Sequence, residues 1–432
     1  MSQTQKELKL KHLFDGGAWN VYDPNVLNLG VGAPGTDLLE PCCDIFHQAT
    51  AHCLERERST NQSLIFQYGP KSGNFEVRRE IANYFSSQYD VPMKSEDLII
   101  TTGATQGLHF LISTLIDFKG YIFVDEFTYM IALDSMKEFT SLTLVPIKLN
   151  DDGVDLHDLE EQVAKAAFKS NDKEFWSIYY TIPTYHNPTG ILFSPAVCRG
   201  IVDLARKYDF LVVCDDVYNI LHYGEKPQHA RLLSYDVSSD VSYKGNVISN
   251  GSFSKIIGPG VRLGWLEVPA RLKPHLLQNG LIQSGGCFNN YTAGIVGSLF
   301  ELNLAQKHIK RLHEAYKDRM LATIEILKSE LPTDCKMLEP SGGYFIWIRL
   351  PDPLDASEFL QYCLEHEKIA FIVGARFALA NDMGPWDHYI YPNAPRLRYL
   401  NCPLAGLLPR NNRPTKHPPT RLTTTTTREE PK

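Results

Sequence analysis

Long apolar runs are missing from this chain. Nowhere do its 432 residues approach the roughly 20 consecutive apolar positions a membrane-spanning helix needs. An apolar leader is missing too: Met1 to His12 is polar, which argues against a secretory signal. Cysteine pairing is lacking. The nine cysteines (Cys42, Cys43, Cys53, Cys198, Cys214, Cys287, Cys335, Cys363 and Cys402) are odd in number and scattered, with no Cys-x-x-Cys. That pattern predicts reduced thiols in a cytoplasmic protein, with no disulfide frame and no metal site. Positive charge is short: 43 Lys and Arg face 50 Asp and Glu, for a net charge of −7. Nucleic acid is therefore a poor partner, because phosphate backbones call for a net positive surface. No internal repeat is present.

What remains is an ordinary globular composition. Hydrophobic residues at 43% and charged residues at 22% exclude disorder, collagen-like repeats and coiled coil as the main architecture. The length predicts two or three domains. From about residue 73 to 265, short apolar runs alternate with amphipathic stretches. The runs are Asp97–Thr101, Tyr121–Val124, Leu142–Val145, Phe175–Tyr180, Phe210–Cys214 and Asn246–Ser249. The stretches are Gln106–Leu115, Thr128–Phe139, Leu156–Ala167 and Pro195–Tyr208. This alternation predicts an α/β fold, a mostly parallel sheet covered by helices on both faces. The second half reads as a smaller α+β unit. It has helices at Ala293–Leu304, Gln306–Glu330 and Ala356–Glu367, and strands at Gly343–Leu350, Phe371–Val373 and Arg396–Leu400. Beyond Leu408 come prolines, basic residues and the run Thr423–Thr427, too poor in apolar residues to fold.

Ligands of open α/β sheets sit at the carboxyl ends of strands, so the residues following each run carry the chemistry. After Asp97–Thr101 comes Thr102-Gly103-Ala104-Thr105-Gln106-Gly107. It reads as a close backbone approach to an anion at a helix start, or as a tight turn with Thr105 as N-cap. After Phe175–Tyr180 comes His186-Asn187-Pro188-Thr189-Gly190, in which Pro188 fixes the backbone and aims the Asn187 amide. A plain Asn-Pro turn reads the same way. Asp215, in Asp215-Asp216-Val217-Tyr218, ends a very apolar strand and needs a cation such as a protonated ring nitrogen. The alternative is an N-cap or a metal ligand. Lys255 lies in Ser252-Phe253-Ser254-Lys255, ahead of a glycine-rich loop with Arg262. It reads as a lowered-pKa nucleophile or as a solvated surface lysine. All four features fall at strand ends of one sheet. Together they supply what pyridoxal phosphate takes from a protein.

The order and spacing of Asn187-Pro188-Thr189-Gly190, Asp215-x-x-Tyr218 and Ser252-x-Ser254-Lys255 with Arg262 resemble the fold-type I pyridoxal-phosphate enzymes. Within them the chain resembles the class I/II aminotransferases, in the branch of aromatic, 2-aminoadipate and kynurenine aminotransferases. The likeness runs from about Leu27 to about Leu400. It implies a seven-stranded-type, mostly parallel sheet sandwiched by helices, with a smaller α+β domain. It also implies an N-terminal segment, 1–60, that contributes to the small domain. A large cofactor-binding domain at 61–300 and a small C-terminal domain at 301–407 follow, then a disordered tail at 408–432.

The resemblance also implies roles. Lys255 matches the lysine that forms the Schiff base with pyridoxal 5′-phosphate and then moves the substrate proton. Asp215 matches the carboxylate that keeps the ring nitrogen protonated. Tyr218 and Asn187 match the pair bonded to the phenolic oxygen, and Tyr129 the aromatic stacked on the ring. Gly103, Ala104, Thr105, Ser252, Ser254 and Arg262 match the phosphate cradle. Tyr68 matches the tyrosine that reaches the cofactor phosphate of the neighbouring subunit in a homodimer. Gly32 matches the loop that closes on substrate. Arg396 matches the clamp on the substrate α-carboxylate, with Arg398 as a second candidate. The implied activity moves an amino group from an L-amino acid, aromatic or 2-aminoadipate-like, to a 2-oxo acid in ping-pong fashion. A carbon–sulfur β-lyase, a ligand-sensing module and an inactive isoform are the competing readings. Three departures stand out: Ala104 and Thr105 where many relatives carry Ser and Gln, Asn219 after Tyr218, and a basic, Thr-rich tail in place of a final helix.

Overall fold

The structure is a computed structural model; it describes residues 23, 25–89, 91–170, 172–224, 230–379 and 389–391. Seven strands form the central sheet: β1 (Leu98–Thr101), β2 (Ile116–Asp125), β3 (Thr143–Ile147), β4 (Phe175–Thr181), β5 (Leu211–Asp215), β6 (Val247–Ser252) and β7 (Gly264–Glu267). Their spatial order is β1-β7-β6-β5-β4-β2-β3. Strands β6, β5, β4, β2 and β3 run parallel, whereas β7 lies antiparallel between β1 and β6. Every residue of β4, β5 and β6 is buried. This is the signature of parallel strands covered on both faces, and it explains their near-continuous apolar text.

Alternation along the strands separates two cores. Ile178, Tyr180, Val213 and Ile248 point to one face and pack with helices α3 (Ala104–Leu115) and α7 (Asn290–Glu301). Phe123, Tyr179, Val212 and Val247 point to the other and pack with α5 (Leu156–Ala166) and α6 (Pro195–Tyr208). Local rules set the helix starts. Ser194 accepts a hydrogen bond from the Val197 amide with Pro195 at the first helical position. Asp155 accepts from the amides of His157 and Asp158.

The second unit is built on the long helix α8 (Leu304–Glu330), which Pro332 follows, and on a four-stranded antiparallel sheet. Its strands are β8 (Lys336–Leu338), β9 (Trp347–Arg349), β10 (Ile372–Val373) and β11 (Tyr389–Tyr391), ordered β8-β9-β11-β10. Leu27–Asn28 pairs in parallel with Ile369–Ala370, so the early chain is laid against this unit. The expected strand at Gly343–Leu350 is a regular strand only over Trp347–Arg349, and Gly343 ahead of it turns at φ +76°. The expected helix Ala356–Glu367 is regular only to Tyr362 and widens into a π turn over Cys363–Glu367. The expected strand at Arg396–Leu400 and the tail at 408–432 lie outside the described residues.

All eight described cysteines are free thiols. Among the described residues no helix is long and apolar enough to cross a membrane.

Candidate functional site

The ends of β1, β4, β5 and β6 converge. Asp215, the last residue of β5, is 7% exposed. Its Oδ2 accepts the Tyr180 hydroxyl at 2.6 Å, and its Oδ1 is buried with no protein partner. Burial pushes the Asp215 carboxyl up to about 6; the Tyr180 hydroxyl pulls it down, Asp216 pushes it up, and Lys255 pulls it down. Asp215 is thus a costly carboxylate beside a cation, with one oxygen still to satisfy.

Lys255 sits on the turn that leaves β6. The Phe253 carbonyl accepts from the Ile257 amide at 2.9 Å and tightens that turn. The hydroxyls of Tyr344 and Tyr316 donate to the Lys255 carbonyl at 2.9 and 3.3 Å, which pins its backbone. Lys255 Nζ donates to the Gly32 carbonyl at 2.6 Å. Gly32 in turn packs so closely on the Phe345 ring that a Cβ there would lie 3.1 Å from it. The loop carrying Gly32 is therefore folded onto the lysine.

Asn187, 4% exposed, shares a hydrogen bond with Tyr218, and burial pushes the Tyr218 phenol well above its usual range. Tyr218 is thus held as a neutral donor, with Phe345 and Tyr344 rings at 5.4 and 5.6 Å. Tyr129 is half-buried at the start of helix α4 (Met130–Lys137). Burial pushes its phenol up to about 12, while Asp215 and Arg262 both act on it.

A second group gathers at β1. Gly103 takes φ +106° before α3, and the helix has no side-chain cap. Thr105 is therefore a first-turn residue and not the N-cap of the alternative reading. The first-turn amides of Ala104 and Thr105 carry the unbonded N–H groups of a helix start. A Cβ on Gly103 would meet Arg262 Nη2 at 3.3 Å. A Cβ on Gly264 would strike the Gly251 carbonyl oxygen at 2.5 Å, so only glycine lets β7 lie this close to its neighbours. Arg262 is exposed, at φ +49°. Ser252 donates to the Ser254 hydroxyl at 3.0 Å. The helix start and the Arg262 guanidinium thus lie side by side, with Ser252 across Gly264 from Thr101, a set that suits an anion with several oxygens.

Gly32, Asn187, Asp215, Tyr218 and Lys255 are joined by these contacts, with Gly103, Ser252, Ser254 and Arg262 beside them. Tyr68 does otherwise: it is 79% exposed and its ring lies over Gly285. Arg396 and Arg398 lie outside the described residues. Tyr180 and Tyr316 were not foreseen as site residues, nor was the bond from Tyr344 to the Lys255 carbonyl. The signal for Tyr180 was available, since adjacent tyrosines in a strand buried on both faces must serve opposite sides.

The model of the family described as aminotransferase class I and II matches residues 24–385. The aromatic-amino-acid aminotransferase 1 of Thermococcus litoralis is 29% identical over 83% of this chain and 82% of its own. The 2-aminoadipate transaminase of Thermus thermophilus is 26% identical over 89% and 88%. Among solved structures, the kynurenine aminotransferase of Pyrococcus horikoshii, crystallised with PMP, superposes with a TM-score of 0.71. It is 25% identical, covering 93% of this chain and 90% of that one. On the family match and the site geometry together, the chain belongs to the class I and II aminotransferases, a pyridoxal-phosphate-dependent family.

Proposed function

We propose that this chain itself binds pyridoxal 5′-phosphate among these strand ends and moves an amino group from an L-amino acid to a 2-oxo acid. The observation that carries the reading is the Asp215 carboxylate, with Oδ2 satisfied by Tyr180 and Oδ1 buried without a partner. A protonated ring nitrogen is the donor it lacks. When bound, the cofactor supplies an electron sink for negative charge at the substrate Cα.

The chain's residues do the rest. Lys255 attaches the cofactor and afterwards carries the proton that leaves the substrate Cα. The tyrosine bonds to its carbonyl hold its backbone in place while it does so. Asn187 and Tyr218 would be the donors to its phenolic oxygen, and Tyr129 would be the aromatic beside its ring. Gly103, Ala104, Thr105, Ser252, Ser254 and Arg262 hold the phosphate. Gly32 and Asn187 border the substrate, and we assign its α-carboxylate to Arg396.

We propose a homodimer in which Tyr68 serves the neighbouring site. Support comes from an exposed apolar patch of Leu64, Phe66, Tyr68 and Leu281, 57–79% exposed, with the Phe66 and Tyr291 rings stacked at 5.7 Å. The division at 1–60, 61–300 and 301–407 is also proposed; pairing of Leu27–Asn28 with Ile369–Ala370 supports the first segment's place with the small domain. Cytoplasmic location is proposed from the free thiols. Aromatic or 2-aminoadipate-like donors are proposed from the named relatives. The test is a panel of L-amino acids added to cofactor-loaded protein. The visible band should be lost with aromatic or 2-aminoadipate donors and restored by a 2-oxo acid, with one amine transferred per turnover. Ammonia release with no transfer would replace the transaminase reading with the eliminase.

A further inference from the structure

Behind the Asn187 loop lies a buried polar cluster that the reaction as described does not use. Asp125 is the last residue of β2 and has no solvent exposure. Its Oδ1 accepts the Tyr179 hydroxyl at 2.5 Å. Its Oδ2 accepts the Thr181 hydroxyl at 2.8 Å and faces His186 Nε2 at 3.2 Å. His186 has no exposed surface either, and its Nδ1 lies 2.8 Å from the Thr189 hydroxyl. Because a carboxylate only accepts, the ring hydrogen belongs on Nε2, and Nδ1 is left to accept from Thr189.

The cluster grips Asn187 from both sides. His186 precedes it and Thr189 follows Pro188. The Gly190 amide donates to the His186 carbonyl at 2.7 Å, and the His186 amide donates to the Ile191 carbonyl at 2.8 Å. Asn187, itself buried, is thus the tip of a loop whose flanks, His186 directly and Thr189 through it, are tied to one carboxylate. Strand alternation gives the reason. Asp125, Tyr179 and Thr181 share one face of the sheet, while Tyr180 reaches Asp215 from the other. The sheet therefore sets Asp215 from one face and the Asn187 loop from the opposite one.

We propose that Asp125, acting through His186 and Thr189, is a positioning residue that holds the Asn187 amide at the angle its donor role needs. The inference rests on the reading of Asn187 as a donor to the phenolic oxygen of the cofactor. A misaimed amide stabilises that oxygen less when it is anionic, so the pH midpoint of the visible absorbance rises.

The experiment is a spectral pH titration of cofactor-loaded protein with melting temperatures alongside. In Asp125→Asn the amide offers one acceptor oxygen where three donors converge, so at least one of them must reverse or lose its bond. In Thr189→Val the hydroxyl goes and the volume stays, which keeps the test available if the first variant folds badly. Both should move the midpoint up by about half a pH unit or more. Neither should move it further in an Asn187→Ala background, since the relay would then have nothing to aim. Lower melting temperatures with an unmoved midpoint would overturn the inference and leave a purely structural cluster. So would shifts that persist undiminished in Asn187→Ala. A wild-type chain that takes up no cofactor would sink the reading of the site itself, and this inference with it.

Discussion

Tyr180 and Asp215 share one 2.6 Å hydrogen bond, and it satisfies only half of the carboxylate: Oδ1 stays buried without a protein partner. A folded protein tolerates such an atom where a ligand completes it. The site is therefore built at a cost to the empty protein, and that cost is measurable.

Burial raises the Asp215 pKa from 3.8 to about 6. A group raised on folding contributes stability that is full below the unfolded value and is lost as pH rises through the folded one. Ionising Asp215 in the empty protein should thus cost up to about 3 kcal/mol by pH 8. Asp215→Asn, free of that charge, should melt higher than the wild type at pH 8, with the gap closing towards pH 4. The same variant should bind the cofactor weakly and lose most turnover. Equal melting at both pH values would remove the buried charge from the account.

Tyr180→Phe removes the only protein donor described for Asp215. Its carboxyl should then rise further above about 6, since the lost bond was lowering it. Cofactor affinity should fall most steeply on the acid side, between roughly pH 5.5 and 7.5. Titrations across that range check this, and a uniform loss at all pH values would argue for displaced packing instead.

Arg231 is 3% exposed, bonds Glu267 at 2.7 Å and lies 4.0 Å over the Tyr89 ring. It also pulls down the buried Asp216, which burial itself pushes up. Arg231→Met should destabilise by about 3–5 kcal/mol, because two acidic groups lose their buried cation. The loss should deepen as pH rises and Asp216 is forced to ionise. Denaturant unfolding at pH 5 and pH 8 tests the direction.

Phe66 is 67% exposed and stacked on Tyr291 in the apolar patch around Tyr68. Phe66→Glu should shift the protein from dimer to monomer in sedimentation and weaken cofactor binding through the loss of the partner's Tyr68. A variant that stayed dimeric with full affinity would place the interface elsewhere.

Much of this was legible in the sequence because strand ends of a parallel sheet announce themselves. Apolar runs stop, and small or polar residues begin; Asp215, Asn187 and Lys255 were found in that way. The antiparallel strand β7 was not, since Gly264–Glu267 is short and directly follows a glycine-rich loop. Asp125 escaped although the same rule applies to it. It ends an apolar strand as Asp215 does, but the motif after it, Phe127-Thr128-Tyr129, drew attention to Tyr129 and past the carboxylate. His186 was read only as a neighbour of Asn187, because hydrogen bonds to a strand about sixty residues earlier leave no local pattern. The bonds from the Tyr316 and Tyr344 hydroxyls to the Lys255 carbonyl come from distant elements and were hidden for the same reason.

The central claim is that Lys255 is the attachment point, on a turn pinned by two tyrosine hydroxyls and with its amine at the Gly32 carbonyl. The most direct measurement is borohydride reduction of cofactor-loaded protein, followed by proteolysis and mass analysis of the labelled peptide. The account predicts one pyridoxyl group per chain, on Lys255, and no stable label in Lys255→Ala, with turnover down by several orders of magnitude. A label on another lysine, or a Lys255→Ala protein that still fixes the cofactor and turns over, would contradict it.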